Sequence, residues 1–225
     1  LTQLLPSGIS PEGIVALPAR DLLVTANEAD LGAEGGARAH VMLFGATDGP
    51  PRYPTITAEG ADGLIGWGAL SGLAAGDAPG QLFAVSDSAY GAQPAIHAID
   101  ATRTPARITA KTIVTRNGDP AQKLDLEGIT PDGQGGFWLA SEGRSDRLIP
   151  HAIIHVDAQG EIQEEIGLPA ELLAHEDRYG FEGIARQGDR LWMAVQREWG
   201  DDPAGQGKLG SYDLLTQDWG AVAYP

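Results

Sequence analysis

The 225-residue chain carries 31 acidic side chains against 15 lysines and arginines, a formal net charge of −16, and it has no cysteine. A disulfide scaffold and a thiolate-ligated zinc or iron–sulfur site are therefore excluded. An acidic surface with no basic cluster repels nucleic acid and anionic lipid, and no apolar run approaches the roughly 20 residues that cross a bilayer.

With 31 glycines and 15 prolines the chain leans toward strands and turns. Self-similarity organises it. Glu-Gly-Ile stands at 12–14, 127–129 and 182–184, and Ser71-Gly72-Leu73 is a weaker copy in the gap, so successive starts are 59, 56 and 55 residues apart. Four units follow, approximately 10–60, 61–120, 121–168 and 179–225.

In the first unit the apolar run Leu22–Ala26 ends at Asn27-Glu28, and His40–Phe44 and Pro54–Thr57 give two further strands. The second offers Leu82–Ser86 ending at Asp87, then Ala95–Ile99 and Arg107–Val114. The third offers Phe137–Ser141 ending at Glu142, then Ala152–Val156 and Glu161–Ile166. A helix is expected over 169–178, with Pro169 near its start and Gly180 beyond its end. The fourth unit offers Leu191–Val195 ending in Gln196-Arg197-Glu198, then Leu209–Leu214 and Trp219–Val222. Alternation, β-branched content and Asp-Gly or Gly-Gly turns mark these runs as strands.

Four short strands in each repeat of about 57 residues predict an all-β chain, a β-propeller of four blade-like repeats of four antiparallel strands. The chain starts at Leu1, and Thr2-Gln3-Leu4-Leu5 reads as the last strand of a preceding blade, so the expectation is a segment of a larger ring.

Propeller geometry turns the repeat into a site. In an antiparallel hairpin the start of one strand lies beside the end of the next. One rim then gathers Glu12 with Asn27 and Glu28, Ser71 with Asp87, Asp125 and Glu127 with Glu142, and Glu182 with Arg197 and Glu198. Converging carboxylates need a counter-charge, and oxygen ligands without Cys or a His pair point to Ca²⁺. The competing reading makes each Glu-Gly a structural turn. Ser71 breaks the acidic series and leaves one side of the mouth open for substrate.

Arg144, Arg147, Arg197 and Lys123 are candidates to hold an anionic group, against simple pairing with nearby carboxylates. His151, in a loop near the rim, is the histidine to test as a general base; His40, His97 and His155 fall in third strands and read as packing or surface residues. Trp138 and Trp192 occupy equivalent positions and are expected in the core between blades. The sequence contains neither a Gly-rich phosphate loop nor a Gly-x-Ser-x-Gly elbow.

Leu124-Asp125-Leu126-Glu127-Gly128-Ile129, followed by Gly136-Phe137-Trp138-Leu139-Ala140-Ser141-Glu142-Gly143, resembles the signature of the phytase-like propeller family, also labelled esterase-like activity of phytase. Phe181-Glu182-Gly183-Ile184 with Leu191-Trp192 extends the likeness, and calcium-dependent propellers of the gluconolactonase type are similar more loosely. The resemblance implies an exported bacterial propeller, periplasmic or extracellular, that acts as a metal-dependent phosphoester hydrolase. It implies Glu12, Glu127 and Glu182 as ligands, with Glu142 and Asp125 beside them. Three functions are open: a Ca²⁺-dependent phosphoester hydrolase using Glu127, Glu182, Arg144, Arg197 and His151; a lactonase or esterase using the same cation; and a calcium-stabilised binding propeller without catalysis. The expected partner is a small anionic or ester substrate, with the remaining blades of a longer chain.

Overall fold

The computed structural model describes residues 5–34, 36, 38–49, 55–87, 92–144, 147–176 and 179–224. Thr2–Leu4, Pro54, Ser145, Asp146 and the far end of the expected helix lie outside them. The chain divides into two compact units, Leu1–Tyr53 and Pro54–Pro225.

The first unit is a three-stranded antiparallel meander of β1 (Pro11–Leu17), β2 (Leu22–Asn27) and β3 (His40–Gly45). Its apolar alternation is poorly covered: Ile14, Val15, Val41 and Leu43 are exposed. The expected fourth strand is not part of this sheet. Ile56–Thr57 forms β4, which pairs parallel with a strand of the second unit at Ala106 and Arg107.

Three sheets follow in the second unit. The first is β5 (Leu70–Ala75), β6 (Gln81–Ser86), β7 (Ala95–Asp100) and β8 (Ala106–Ile113), with β4 on its outer edge. A small hairpin, β9 (Thr115–Arg116) and β10 (Asp119–Pro120), leads to β11 (Leu126–Pro131), β12 (Phe137–Ser141), β13 (Ala152–Val156) and β14 (Ile162–Gly167). The last is β15 (Phe181–Gln187), β16 (Arg190–Val195), β17 (Gly207–Asp213) and β18 (Trp219–Tyr224). The four consecutive strands of each sheet pair antiparallel in chain order.

Apolar side chains on both faces of the middle sheet explain its stacking. Phe137, Leu139 and Ile154 face Val85 and Ile96 of the preceding sheet, while Trp138 and Ile153 pack with Phe181, Leu191 and Met193 of the following one. A strand buried on both faces reads as a continuous apolar run, which is the character of Phe-Trp-Leu-Ala. Trp138 is in this core, whereas Trp192 is half-buried with the Arg190 guanidinium 5.8 Å above its ring. The helix is shorter than expected: α1 spans Ala170–Leu173, and the chain turns at Ala174 and His175.

Candidate metal centre

Every unit carries the same irregularity. The first hairpin shifts register between Pro11 and Gly13, Leu70 and Gly72, Leu126 and Gly128, and Phe181 and Gly183. The residue left between these pairs is Glu12, Ser71, Glu127 or Glu182, the residue that opens each repeat. A β-bulge leaves one side chain out of the ladder and re-aims it, so the repeated acid is presented at the strand start instead of alternating within the sheet.

The glycine after the bulge has a packing reason. A Cβ on Gly128 would lie 2.7 Å from the Ile184 nitrogen, and one on Gly72 2.9 Å from the Glu127 oxygen and the Gly128 Cα. Thus β5, β11 and β15 meet backbone to backbone, a close approach that a side chain would prevent.

Beyond each bulge the hairpin continues by one bond: Asp87 N–H donates to Ala69 O at 2.9 Å, Glu142 N–H to Asp125 O at 2.7 Å, and Gln196 N–H to Gly180 O at 2.9 Å. The second-strand ends of the three successive sheets are therefore Asp87, Glu142 and Gln196. Glu198, placed here by sequence spacing, lies two residues past the position, and its carboxylate accepts the Gly205 N–H at 2.8 Å.

Asp87, Asp125 and Glu127 converge, each offering a carboxylate oxygen within 4.8 Å of the others. Asp125 and Glu127 are only 4% and 7% exposed. Asp125 N–H donates to Ser141 Oγ at 3.0 Å, whereas its buried Oδ1 has no hydrogen-bond partner. Ser71 Oγ donates to Glu127 Oε2, so the serine of the weak repeat touches the cluster directly. The Gly180 N–H donates to Glu142 Oε1 at 3.0 Å.

The electrostatics follow from this crowding. Burial pushes the Glu127 carboxyl up to about 8; the Ser71 hydroxyl opposes the rise, and the Glu182, Asp87 and Asp125 charges add to it. Burial raises Asp125 to about 7, reinforced by the hydrogen bond and charge of Asp87 and the charge of Glu142, with Arg144 pulling the other way. Glu182 rises to about 6, first through burial and then through Glu142 and Asp87. Each shift says that a positive charge would be favoured here. Oxygen donors without thiol or imidazole, one of them buried and unpaired, suit a hard divalent cation.

Other candidate residues fall elsewhere. His151 is buried, its Nδ1 accepts the Gly143 N–H at 3.1 Å, and its Nε2 lies 2.6 Å from Glu176 Oε2. Burial depresses its pKa, partly offset by Glu176. Its ring fills the space between Gly143 and Gly180, where an added Cβ would come within 2.0 and 2.2 Å of it. The His151 ring thus separates the segments at Gly143 and Gly180, next to Glu142 and Glu182.

Arg197 stacks 4.1 Å over the Tyr179 ring, while Lys123 Nζ donates to Arg147 O at 2.8 Å. Among the third-strand histidines, His155 stacks on Trp138 and its Nε2 lies 2.9 Å from Asp132 Oδ2, His97 is buried with burial lowering its pKa, and His40 is exposed. Glu12, Asn27 and Glu28 belong to the first unit. There Glu28 N–H donates to Ser10 O at 3.0 Å, the buried Asn27 amide donates to His40 O at 3.4 Å, and Glu12 and Glu28 are exposed.

Sequence spacing missed the Ser71–Glu127 contact and the Gly180–Glu142 bond. The first had a signal, since Ser71 occupies the repeat position; the second runs from a backbone amide and has none.

Among solved structures the chain is similar to a luciferin-regenerating enzyme at 14% identity and a TM-score of 0.38, covering 94% of this chain and 59% of that one. It is also similar to the hydrazine synthase of Kuenenia stuttgartiensis at 13% identity and a TM-score of 0.35, covering 73% and 52% respectively. The chain therefore spans somewhat more than half the length of either structure. No curated protein sequence matches it. The family described as phytase-like, esterase-like activity of phytase, matches residues 65–225, the stretch that contains β5 to β18 and the carboxylate cluster, and the chain belongs to that family.

Proposed function

We propose that this protein is a calcium-dependent hydrolase of phosphoesters built on propeller blades, working at the rim formed by Asp87, Asp125 and Glu127. The observation that carries the reading is the convergence of three carboxylates on a site where the buried Asp125 Oδ1 lacks a partner. Asp87, Asp125 and Glu127 would hold the cation, with Glu142 and Glu182 on its flank. When bound, such an ion neutralises phosphate charge and acts as a Lewis acid.

The chain's own groups supply the rest. Arg144, whose charge acts on Asp125, would bind a non-bridging phosphoryl oxygen. Glu182 is half-buried and not fixed among the three clustered acids, and it is the carboxylate we assign to orient and deprotonate the attacking water. Arg197, held flat on Tyr179, would bind the more distant part of the substrate. The abundance of calcium outside the cytosol fits a periplasmic or extracellular location, and a larger ring would supply further blades.

The family's esterase-like description favours a second reading, hydrolysis of carboxylic esters or lactones with the same cation. A panel of phosphomonoesters, phosphodiesters and lactones, assayed with calcium and with chelator, separates the two. Glu127→Gln is expected to lower calcium affinity by about tenfold or more in calorimetry and to lower turnover with it. Unchanged calcium binding in that variant would remove Glu127 from the ligand set. Calcium binding without turnover on any substrate would support a purely binding propeller.

A further inference from the structure

We propose that Ser71 sets the substrate class at this centre: as the neutral member of the bulge series it withholds one further carboxylate from the cluster, and an anionic substrate oxygen meets the ion beside its hydroxyl. The inference rests on the cation-site reading above and deepens it.

Three observations converge on Ser71. It occupies the same bulge position as Glu127 and Glu182 in three successive sheets, so a carboxylate at 71 would be presented to the same place. Ser71 is exposed whereas Asp125 and Glu127 are buried, so the side chain at 71 links solvent to the buried acids. Its hydroxyl already donates to Glu127, which occupies one oxygen of that carboxylate with a neutral donor. Independently, the buried Asp125 Oδ1 in the same cluster has no hydrogen-bond partner and suits a cation. With Asp87, Asp125, Glu127, Glu142 and Glu182 around the site, one more negative charge beside Glu127 would repel any anionic oxygen arriving at the ion.

The test compares Ser71→Glu with its neutral isostere Ser71→Gln. Calcium is titrated first, and inorganic phosphate is then titrated into the calcium-loaded proteins by calorimetry. Wild type and Ser71→Gln are expected to bind phosphate within about threefold of each other; Ser71→Glu should lose about tenfold or more while holding calcium at least as tightly. Phosphate binding by Ser71→Glu equal to wild type overturns the inference, as does an equal loss in Ser71→Gln, which would make bulk the cause. Calcium binding without phosphate binding in wild type sinks this inference alone, whereas absence of calcium binding sinks the underlying metal reading as well. Should Ser71→Glu fail to fold by circular dichroism, the shorter pair Ser71→Asp and Ser71→Asn carries the same contrast.

Discussion

At the scale of single residues, the glycine of each Glu-Gly pair separates what the motif does for packing from what it does for chemistry. Gly128 is pressed against the Ile184 nitrogen, whereas a Cβ on Gly183 would meet nothing within 4 Å. Gly128→Ala should therefore destabilise by about 1–3 kcal/mol, and Gly183→Ala by no more than about 0.5 kcal/mol, in urea unfolding. Equal effects would mean that the glycines matter for backbone freedom and not for the approach of neighbouring strands. The carboxylates on the same motif were legible from the chain because antiparallel pairing puts the start of one strand beside the end of the next. That rule brings Asp87, Asp125 and Glu127 to one place without any knowledge of side-chain rotamers. It could not say which acid is in register: the hairpins differ in length, β15–β16 closing tightly at Gln187 and Arg190 where β11–β12 closes at Pro131 and Phe137, and so Gln196, not Glu198, ends the second strand of the last sheet. Nor could it anticipate His151, whose role depends on two glycines, Gly143 and Gly180, from separate loops.

At the scale of elements, strands were readable wherever both faces are apolar or alternate cleanly, as in Phe137–Ser141 and Ala95–Asp100. The failures share a cause. Ile56–Thr57 has strand character, but tertiary pairing with β8 decides which sheet it joins; Pro169–Arg178 has helical composition, but among its described residues the helix spans Ala170–Leu173. The β9–β10 hairpin was also invisible, because it is held from outside: Glu161 accepts from Thr115 Oγ1 at 2.6 Å, Asn117 N at 2.6 Å and Gly118 N at 3.1 Å, and Arg116 makes a paired bond to Glu165 at 2.6 and 2.9 Å. Glu161→Ala is expected to speed amide exchange across 115–120 while leaving the protection of β12 and β13 unchanged, because the acceptor is lost only by the hairpin. Uniform loss of protection would show that the hairpin is part of the global core.

For the whole molecule, the charge of −16 resolves into different kinds of acid. Asp100, Asp157 and Asp213 close the third hairpin of their sheets by accepting backbone N–H groups of Thr102, Gln159 and Leu215. Asp132 does the same in the β11–β12 turn, with Gln134 and Gly136. Five more surround the candidate centre. Their raised pKa values link charge to stability in a definite direction. Because Glu127, Asp125 and Glu182 hold protons more tightly when folded, their contribution is complete below the unfolded carboxylate range near pH 4. It is lost as pH rises through about 6, 7 and 8. In chelator, the urea midpoint should fall between about pH 5 and pH 8.5, and calcium should flatten that decline by replacing the protons. A midpoint that rises over this interval, or one that calcium leaves unchanged, would contradict the site electrostatics.

The short parallel strand Ile56–Thr57 has one more effect, on how the molecule behaves in concentrated solution. By covering the outer edge of β8 it removes a row of amide and carbonyl groups that could otherwise template pairing with another chain. The Thr115–Glu161 bridge shields the start of β14 in the same way. Among the described residues nothing pairs with the outer sides of β3 and β18, whose Val41, Leu43, Val222 and Tyr224 are exposed. Strand-to-strand self-association is expected at these two edges, and Val41→Lys and Val222→Lys should each lower the aggregated fraction in sedimentation at high concentration.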